Sequence, residues 1–453
     1  MYFTTDQQTL NDLSIFGKSG SNSIFSLFNQ TETRGGADRL SDMFRYPLAD
    51  HEAINERSII IAYCADHRIT LPFKKGLFDI IDQYLENTDE RSRLSEREST
   101  VSGKLKELIA TDPHVKRVED GIMAVRQFFA DLEHFVTDLF SVAAAEEQGR
   151  TFLMARSESF RSLLQDEDFA NFRREKSGKS LPYRSIALYD SLLRFKKRDL
   201  IRTCLAVIYE FDAYISVAKV ARQHNFCHPY AMPVAQGEVI LEDVYHPYVK
   251  DAIRNSLRID PQSNIIFLTG ANMAGKSTLM KSLGIAMYLA HMGFPVPAKN
   301  MSFSVREGIY TSINLPDNLG QGMSHFYAEV LRIKKVSREL GQNKNLFIII
   351  DELFRGTNVK DAYEATVALT SAFASKPNCM FMMSTHIMEA GDTLRGICSN
   401  INFVYLPTKM DGNQPVYTYR LEQGITADRH GMIIVRNEGI LDILNKKNVK
   451  DKV

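Results

Sequence analysis

Apolar residues in the first half of the chain fall at helical spacing. Leu200, Cys204, Val207, Ile208, Phe211, Ile215 and Ala218 recur at intervals of three and four, the period that lines one face of a helix. Ile122, Val125, Phe128, Phe129, Leu132, Phe135, Val136 and Leu139 repeat the pattern upstream. From Tyr183 to His228 there is neither glycine nor proline, so the spacing predicts long helices in a mostly helical first half. Core packing accounts for these stripes without a cofactor. The mixed charges of ENTDERSRLSERES, residues 86–99, predict a solvated helix face or a loop.

After His228-Pro229 the pattern changes. Short β-rich runs appear, VILEDVY, NIIFLTG, LFIIID and CMFMMST, separated by helical spacing, and such alternation predicts an α/β domain with a mainly parallel sheet. The boundary is placed near residue 230, giving a helical domain over 1–229 and an α/β domain over 230–453.

At 453 residues the chain is long enough for two to four domains. The formal net charge of zero means that any nucleic-acid contact must come from local basic patches. Cys64, Cys204, Cys227, Cys379 and Cys398 form no C-x-x-C pair, which argues against a zinc ribbon or a disulfide scaffold and for a reducing compartment. The opening MYFTTDQQTLNDL lacks the basic and apolar regions of a secretory signal. Runs such as IIIAYC and LFIIID are far shorter than the roughly 20 residues of a membrane span. A cytoplasmic protein is expected.

The chemistry concentrates in FLTGANMAGKST, residues 267–278. It fits G-x-x-x-x-G-K-[ST], with Gly270, Gly275, Lys276 and Ser277 at the fixed positions, after a strand pattern (265–268) and before a helix running to about His291. Backbone N–H groups of such a loop point at phosphate oxygens, and the helix N-terminus adds partial positive charge. Lys276 would neutralise β- and γ-phosphates, and the Ser277 hydroxyl would ligate Mg²⁺. NLFIIIDE brings Asp351 and Glu352 to the C-terminal end of a buried strand, where ligands of α/β folds gather. There Asp351 would hold Mg²⁺ and Glu352 would polarise the attacking water. His386, just beyond MFMMST, would reach the γ-phosphate or the water. Without the phosphate loop, these acids would read as strand-end caps and the histidine as structural.

TGANMAGKST, LGQGMSHFYAEV, IIIDELFRGTN and MSTHIMEA resemble, in sequence and order, the phosphate loop, signature segment, acidic strand and histidine switch of MutS-type mismatch-repair ATPases. VYHPYV and YRLEQGITADRHGMIIVRNEGI extend the similarity across about 230–440, and FSLFNQTETRGGADRLSDMFRYPLAD, residues 25–50, resembles the opening of the family's core domain. The helix ending near Asn225 resembles the family's lever. The resemblance implies a P-loop NTPase domain of ABC type preceded by a helical core and lever domain. It implies that Gly270, Asn272, Gly275, Lys276, Ser277 and Thr278 hold ATP, with Ala271, Met273 and Ala274 completing the loop. It also implies Asp351 for Mg²⁺, Glu352 for water activation, His386 as γ-phosphate sensor, and Ser324 as a contact to the nucleotide of the other subunit. Ala271 and Ala274 stand where the family commonly has proline and glycine, positions that the spacing rule leaves open.

The family reads mispairs with a separate N-terminal domain, whereas the core-like segment here opens at residue 25; reading mismatches in that way is therefore not expected, nor is there much room beyond Gly439 for a C-terminal dimerisation element or nuclease. The expectation is a homodimeric, Mg²⁺-dependent ATPase that grips duplex, mismatched or branched DNA and hands on to a downstream repair protein. The alternative is a nucleotide-gated scaffold that binds a protein partner and no DNA. Other dimeric P-loop ATPases carry an LSGGQ-like signature, which GQGMSHFY does not match.

Overall fold

The computed structural model describes residues 3–17, 22–94, 112–141, 147–174, 181–313, 325–354, 357–411, 414–426 and 443. The helices before residue 225 are α1 (Gln7–Asp12), α2 (Ile24–Phe28), α3 (Arg34–Arg45), α4 (His51–Asp66), α5 (Leu77–Glu86), α6 (Pro113–Ser141), α7 (Glu147–Arg156), α8 (Glu158–Gln165), α9 (Ala170–Arg174), α10 (Tyr183–Asp190) and α11 (Arg198–His224). The chain forms two compact units, one of Phe28–Arg45 and Ile59–Arg222, the other of Met1–Leu27, Tyr46–Ser58 and Gln223–Val453. Two N-terminal segments thus pack with the second half of the chain, which a single boundary near 230 does not provide for.

The first unit is helical, and the apolar stripes line its core. Phe128 and Phe135 on α6 and Phe211 on α11 are buried, with Phe135 and Phe211 in edge contact at 5.7 Å and Phe128 against Phe73 at 5.8 Å. The glycine- and proline-free run is not one helix. A π-helical turn, Ser191–Lys196, separates α10 from α11. That wide turn directs the buried Arg194 onto Asp190 at 2.5 Å, where its guanidinium also donates to the Asn87 carbonyl at 3.2 Å and Ser92 Oγ at 3.0 Å. A buried cation needs such partners, since an unpaired one is strongly destabilising.

NQTETRGG owes its composition to Asp212 of α11. The buried carboxylate accepts hydrogen bonds from the backbone of Glu32 and Thr33 at 3.0 and 2.8 Å and from Thr33 Oγ1 at 2.6 Å, satisfying donors of the turn before α3, while Thr33 Oγ1 itself accepts from the first-turn N–H of Gly36 at 2.9 Å. A Cβ on Gly36 would lie 2.1 Å from Asp212 Oδ2, so only glycine permits this approach.

In the second unit the strands are β1 (Tyr230–Met232), β2 (Val239–Val244), β3 (Asn255–Ile259), β4 (Ile265–Gly270), β5 (Asn300–Ser304), β6 (Gly308–Ser312), β7 (Leu346–Asp351), β8 (Met380–Thr385), β9 (Ile401–Leu406), β10 (Thr408–Asp411), β11 (Gln414–Tyr417) and β12 (Glu422–Gln423). Among them run α12 (Lys276–His291), α13 (His325–Leu340), α14 (Val359–Ala374) and α15 (Met388–Ile397). The main sheet has the order β12-β9-β4-β8-β7-β6 and is parallel except where β12 meets β9. Every residue of β4, β7 and β8 is buried, as expected for strands covered on both faces. VILEDVY departs from the expectation. It forms β2, antiparallel to β3 and β5 in a second, four-stranded sheet, and its only partly buried positions suit a strand with one face less covered.

The N-terminal segment joins the edge of the main sheet. Thr4 forms a parallel bridge to Gly308, and Asp12 accepts from Thr311 Oγ1 at 2.7 Å and the Ile313 N–H at 2.9 Å. Asp6 caps α1, accepting from the Thr9 N–H at 3.0 Å, and pairs with the buried Arg332 of α13 and with Lys335 at 2.7 Å. Burial opposes ionisation of Asp6, but the hydrogen bonds from Arg332 and Lys335 outweigh it and hold the carboxyl far below its ordinary value.

Candidate functional site

The loop between β4 and α12 is set by its left-handed residues. Gly270 has φ +154°, Met273 +66° and Gly275 +96°. A Cβ on Gly275 would sit 3.0 Å from the Tyr419 ring, so both conformation and space call for glycine there. Helix α12 begins at Lys276 and aims its first N–H groups and positive dipole end at the loop.

Lys276, Asp351, Glu352 and His386 come together at this point from α12, from the ends of β7 and from the end of β8. Lys276 Nζ donates to the carbonyls of Gly270 and Ala271 at 3.0 and 3.2 Å, lies 3.5 Å from His386 Nδ1 and 3.9 Å from Glu352 Oε1. His386 Nε2 is paired with Glu352 Oε1. Asp351 is buried; one of its oxygens accepts from Ser277 Oγ at 2.5 Å and the other from Ser384 Oγ. The register Asp351↔Ser384 across β7 and β8 brings that second hydroxyl in, and no spacing in the sequence marks it.

The backbone after Asp351 is strained. Glu352 has φ +52° and Phe354 +62°, a region costly for non-glycine residues and concentrated at functional sites. The Phe354 ring packs at a tilt against Phe326 of α13, centroids 5.6 Å apart, which helps to hold the turn. Asn358 then caps α14, its side chain accepting from the Asp361 N–H at 2.9 Å. Arg355 and Gly356 of FRGTN, Ser324 with the rest of GQGM, and the sequence from Ala427 to the end of the terminal motif lie outside the described residues.

Asp351 and Ser277 supply hard oxygen donors, the set that suits Mg²⁺ with water and phosphate oxygens completing the shell. Among the described residues no cluster of three or more His, Cys, Asp or Glu side chains could hold a metal, so a cation here depends on those exogenous oxygens. Beside the loop lies a pocket of about 370 Å³, lined by His246, Ile253, Gly275, Leu279, Leu406 and Tyr419 among others. Its volume and mixed apolar and polar walls are those of a small-ligand pocket. Burial first, and then Lys281, push the His246 pKa down, favouring a neutral ring. This pocket was not legible in the sequence, because its walls come from segments as far apart as 246 and 419.

Among the described residues no helix is long and apolar enough to cross a membrane. The family description MutS domain III matches residues 8–218 and MutS domain V matches residues 266–450. The DNA mismatch repair protein MutS of Persephonella marina is 27% identical over 342 residues, covering 74% of this chain and 36% of the relative. Its namesake in Thermodesulfovibrio yellowstonii is 29% identical over 275 residues, covering 58% and 31%, and that in Borrelia hermsii 27% over 261 residues, covering 54% and 29%. The chain spans about a third of the length of these relatives. Matches to two domains of one family, in the order that the helical half and the phosphate-loop half take here, give one answer: the chain belongs to the MutS family.

Proposed function

We propose that the chain is a Mg²⁺-dependent ATPase of the MutS type, an ABC-type P-loop domain over 230–453 driven by nucleotide and coupled to a helical core and lever over 1–229. The observation that carries the reading is the convergence of Lys276, Asp351, Glu352 and His386 at the N-terminus of α12. Residues 270–278 wrap the triphosphate, with Lys276 between its β- and γ-phosphates. Ser277 and Asp351 would hold Mg²⁺, which when bound would offset phosphate charge. Glu352 orients water in line with the γ-phosphorus and takes its proton as the bond to the β–γ bridging oxygen breaks and ADP leaves, and His386 donates to the γ-phosphate; positioning and charge neutralisation supply most of the acceleration. The base lies in the pocket beside Gly275.

The relatives are named as DNA mismatch repair proteins, and DNA is the proposed partner, held by a homodimer in which Ser324 reaches the nucleotide of the partner subunit. A nucleotide-gated scaffold without DNA is the second reading. It is favoured by the zero net charge and by a groove of about 1060 Å³ in the helical unit where six acids, Asp38, Asp42, Asp79, Asp82, Glu86 and Glu210, outnumber two bases, Arg34 and Arg39, an excess that disfavours a phosphate backbone. Steady-state ATP hydrolysis, measured alone and with matched, mismatched and branched duplexes at low and moderate salt, separates the two. Stimulation by one DNA form, with binding that weakens steeply as salt rises, supports the first; hydrolysis indifferent to every DNA supports the second.

A further inference from the structure

Asn255, the first residue of β3, is buried and borders the pocket beside the phosphate loop, yet its side chain is spent on backbone. Nδ2 donates to the Tyr419 carbonyl at 3.0 Å and, more weakly, to the Ile253 carbonyl at 3.4 Å. Oδ1 accepts from the Leu421 N–H at 2.7 Å. Both amide hydrogens are therefore committed, and none is left to read a ligand. The groups it ties together are walls of the same pocket: Ile253 is 40% exposed and Tyr419 44%, large apolar side chains that both line the cavity.

Tyr419 needs this tether. Its backbone sits at φ +55°, a strained conformation for an aromatic residue, in the stretch between β11 and β12, with its ring against Gly275. A segment without its own ladder of hydrogen bonds relaxes unless side chains hold it.

We infer that Asn255 is a positioning residue that fixes the spacing of Ile253 and Tyr419 and so shapes a slot for the flat heteroaromatic base of a nucleotide. The inference rests on the reading of the adjoining loop as a triphosphate site. Asn255 acts on the base half of the ligand, and Lys276 with the loop acts on the phosphate half. Removing the tether weakens ligands that carry a base and spares those that are phosphate alone.

The test is equilibrium binding of ATP, ADP and inorganic tripolyphosphate, each with Mg²⁺, to the full chain and to Asn255→Ala, Tyr419→Ala and the double variant, with melting temperatures taken in parallel. Asn255→Ala is expected to weaken ATP and ADP about tenfold, the scale of a lost aromatic contact, and to leave tripolyphosphate within about twofold; the loss appears in KM. Tyr419→Ala gives the same selectivity without removing the backbone groups that Asn255 holds, so it serves if Asn255→Ala does not fold. The double variant loses little more than the larger single one, because two residues acting through one wall are not additive. Parallel losses for ATP and tripolyphosphate, unchanged ATP binding, or fully additive losses overturn the inference. A wild-type chain that binds neither ATP nor tripolyphosphate overturns the triphosphate reading itself, and the inference with it.

Discussion

Replacing Glu352 by glutamine removes one negative charge and keeps the side chain's size and an acceptor for His386. Glu352 Oε1 lies 3.9 Å from Lys276 Nζ. At an effective dielectric of about 20, unit charges at that distance attract by about 4 kcal/mol. Lys276 is 5% exposed but Glu352 18%, and screening through the exposed partner leaves about 1 kcal/mol of it. In Glu352→Gln that attraction no longer competes with a triphosphate for Lys276, so ATP is expected to bind about fivefold more tightly. Turnover moves the other way: losing the group that orients and deprotonates water lowers kcat by about 10²- to 10⁴-fold. The assay pairs phosphate release at saturating Mg²⁺-ATP with an equilibrium titration of a fluorescent ATP. Turnover within about tenfold of wild type, or weaker ATP binding, would refute the role given to Glu352 and the charge argument respectively.

Lys276→Ala removes the cation that reaches the Gly270 and Ala271 carbonyls; ATP affinity is expected to fall about 30-fold, the scale of one charge-assisted hydrogen bond, with turnover falling too, and unchanged affinity by calorimetry would contradict its placement. Gly275→Ala forces a side chain into φ +96° and to 3.0 Å from Tyr419; a loss of about 1–3 kcal/mol in denaturant unfolding is expected, and an unchanged midpoint would mean that the loop relaxes freely. Asp6→Asn breaks the buried pair with Arg332 and is expected to cost about 3 kcal/mol at neutral pH. Because the native pKa of Asp6 is lowered from 3.8, its contribution is complete above about pH 4 and fades as pH falls toward the lowered native value. The variant's stability should therefore depend less on pH in the acid range, and parallel curves for variant and wild type would exclude this linkage.

The phosphate loop, the helix from Lys276 to His291 and the three buried strands were legible because each is specified by contiguous residues. Glycines fix the loop's left-handed turns, and unbroken apolar runs mark strands that both faces of a sheet bury. Asp351, Glu352 and His386 were found through the same logic, since a parallel strand delivers whatever follows it to one edge of the sheet. VILEDVY misled because an apolar run does not say which sheet it joins. The glycine-free run around Arg194 is helical as its spacing predicts, but the π turn that divides it leaves no mark in periodicity.

The sequence by itself therefore determined the family, the local elements and the residues of the candidate site that lie at the loop after β4 and at the ends of β7 and β8. Only the tertiary structure decided which distant groups complete them: Ser384 on Asp351, Asn255 holding Tyr419, Asp212 holding the turn that precedes α3, and Asp6 and Asp12 fastening the N-terminal segment to Arg332 and Thr311. These partners are separated by 33 to 326 residues. Periodicity reports only on neighbours along one element, whereas a buried polar group is satisfied by whatever donor the folded chain brings within 3 Å or so.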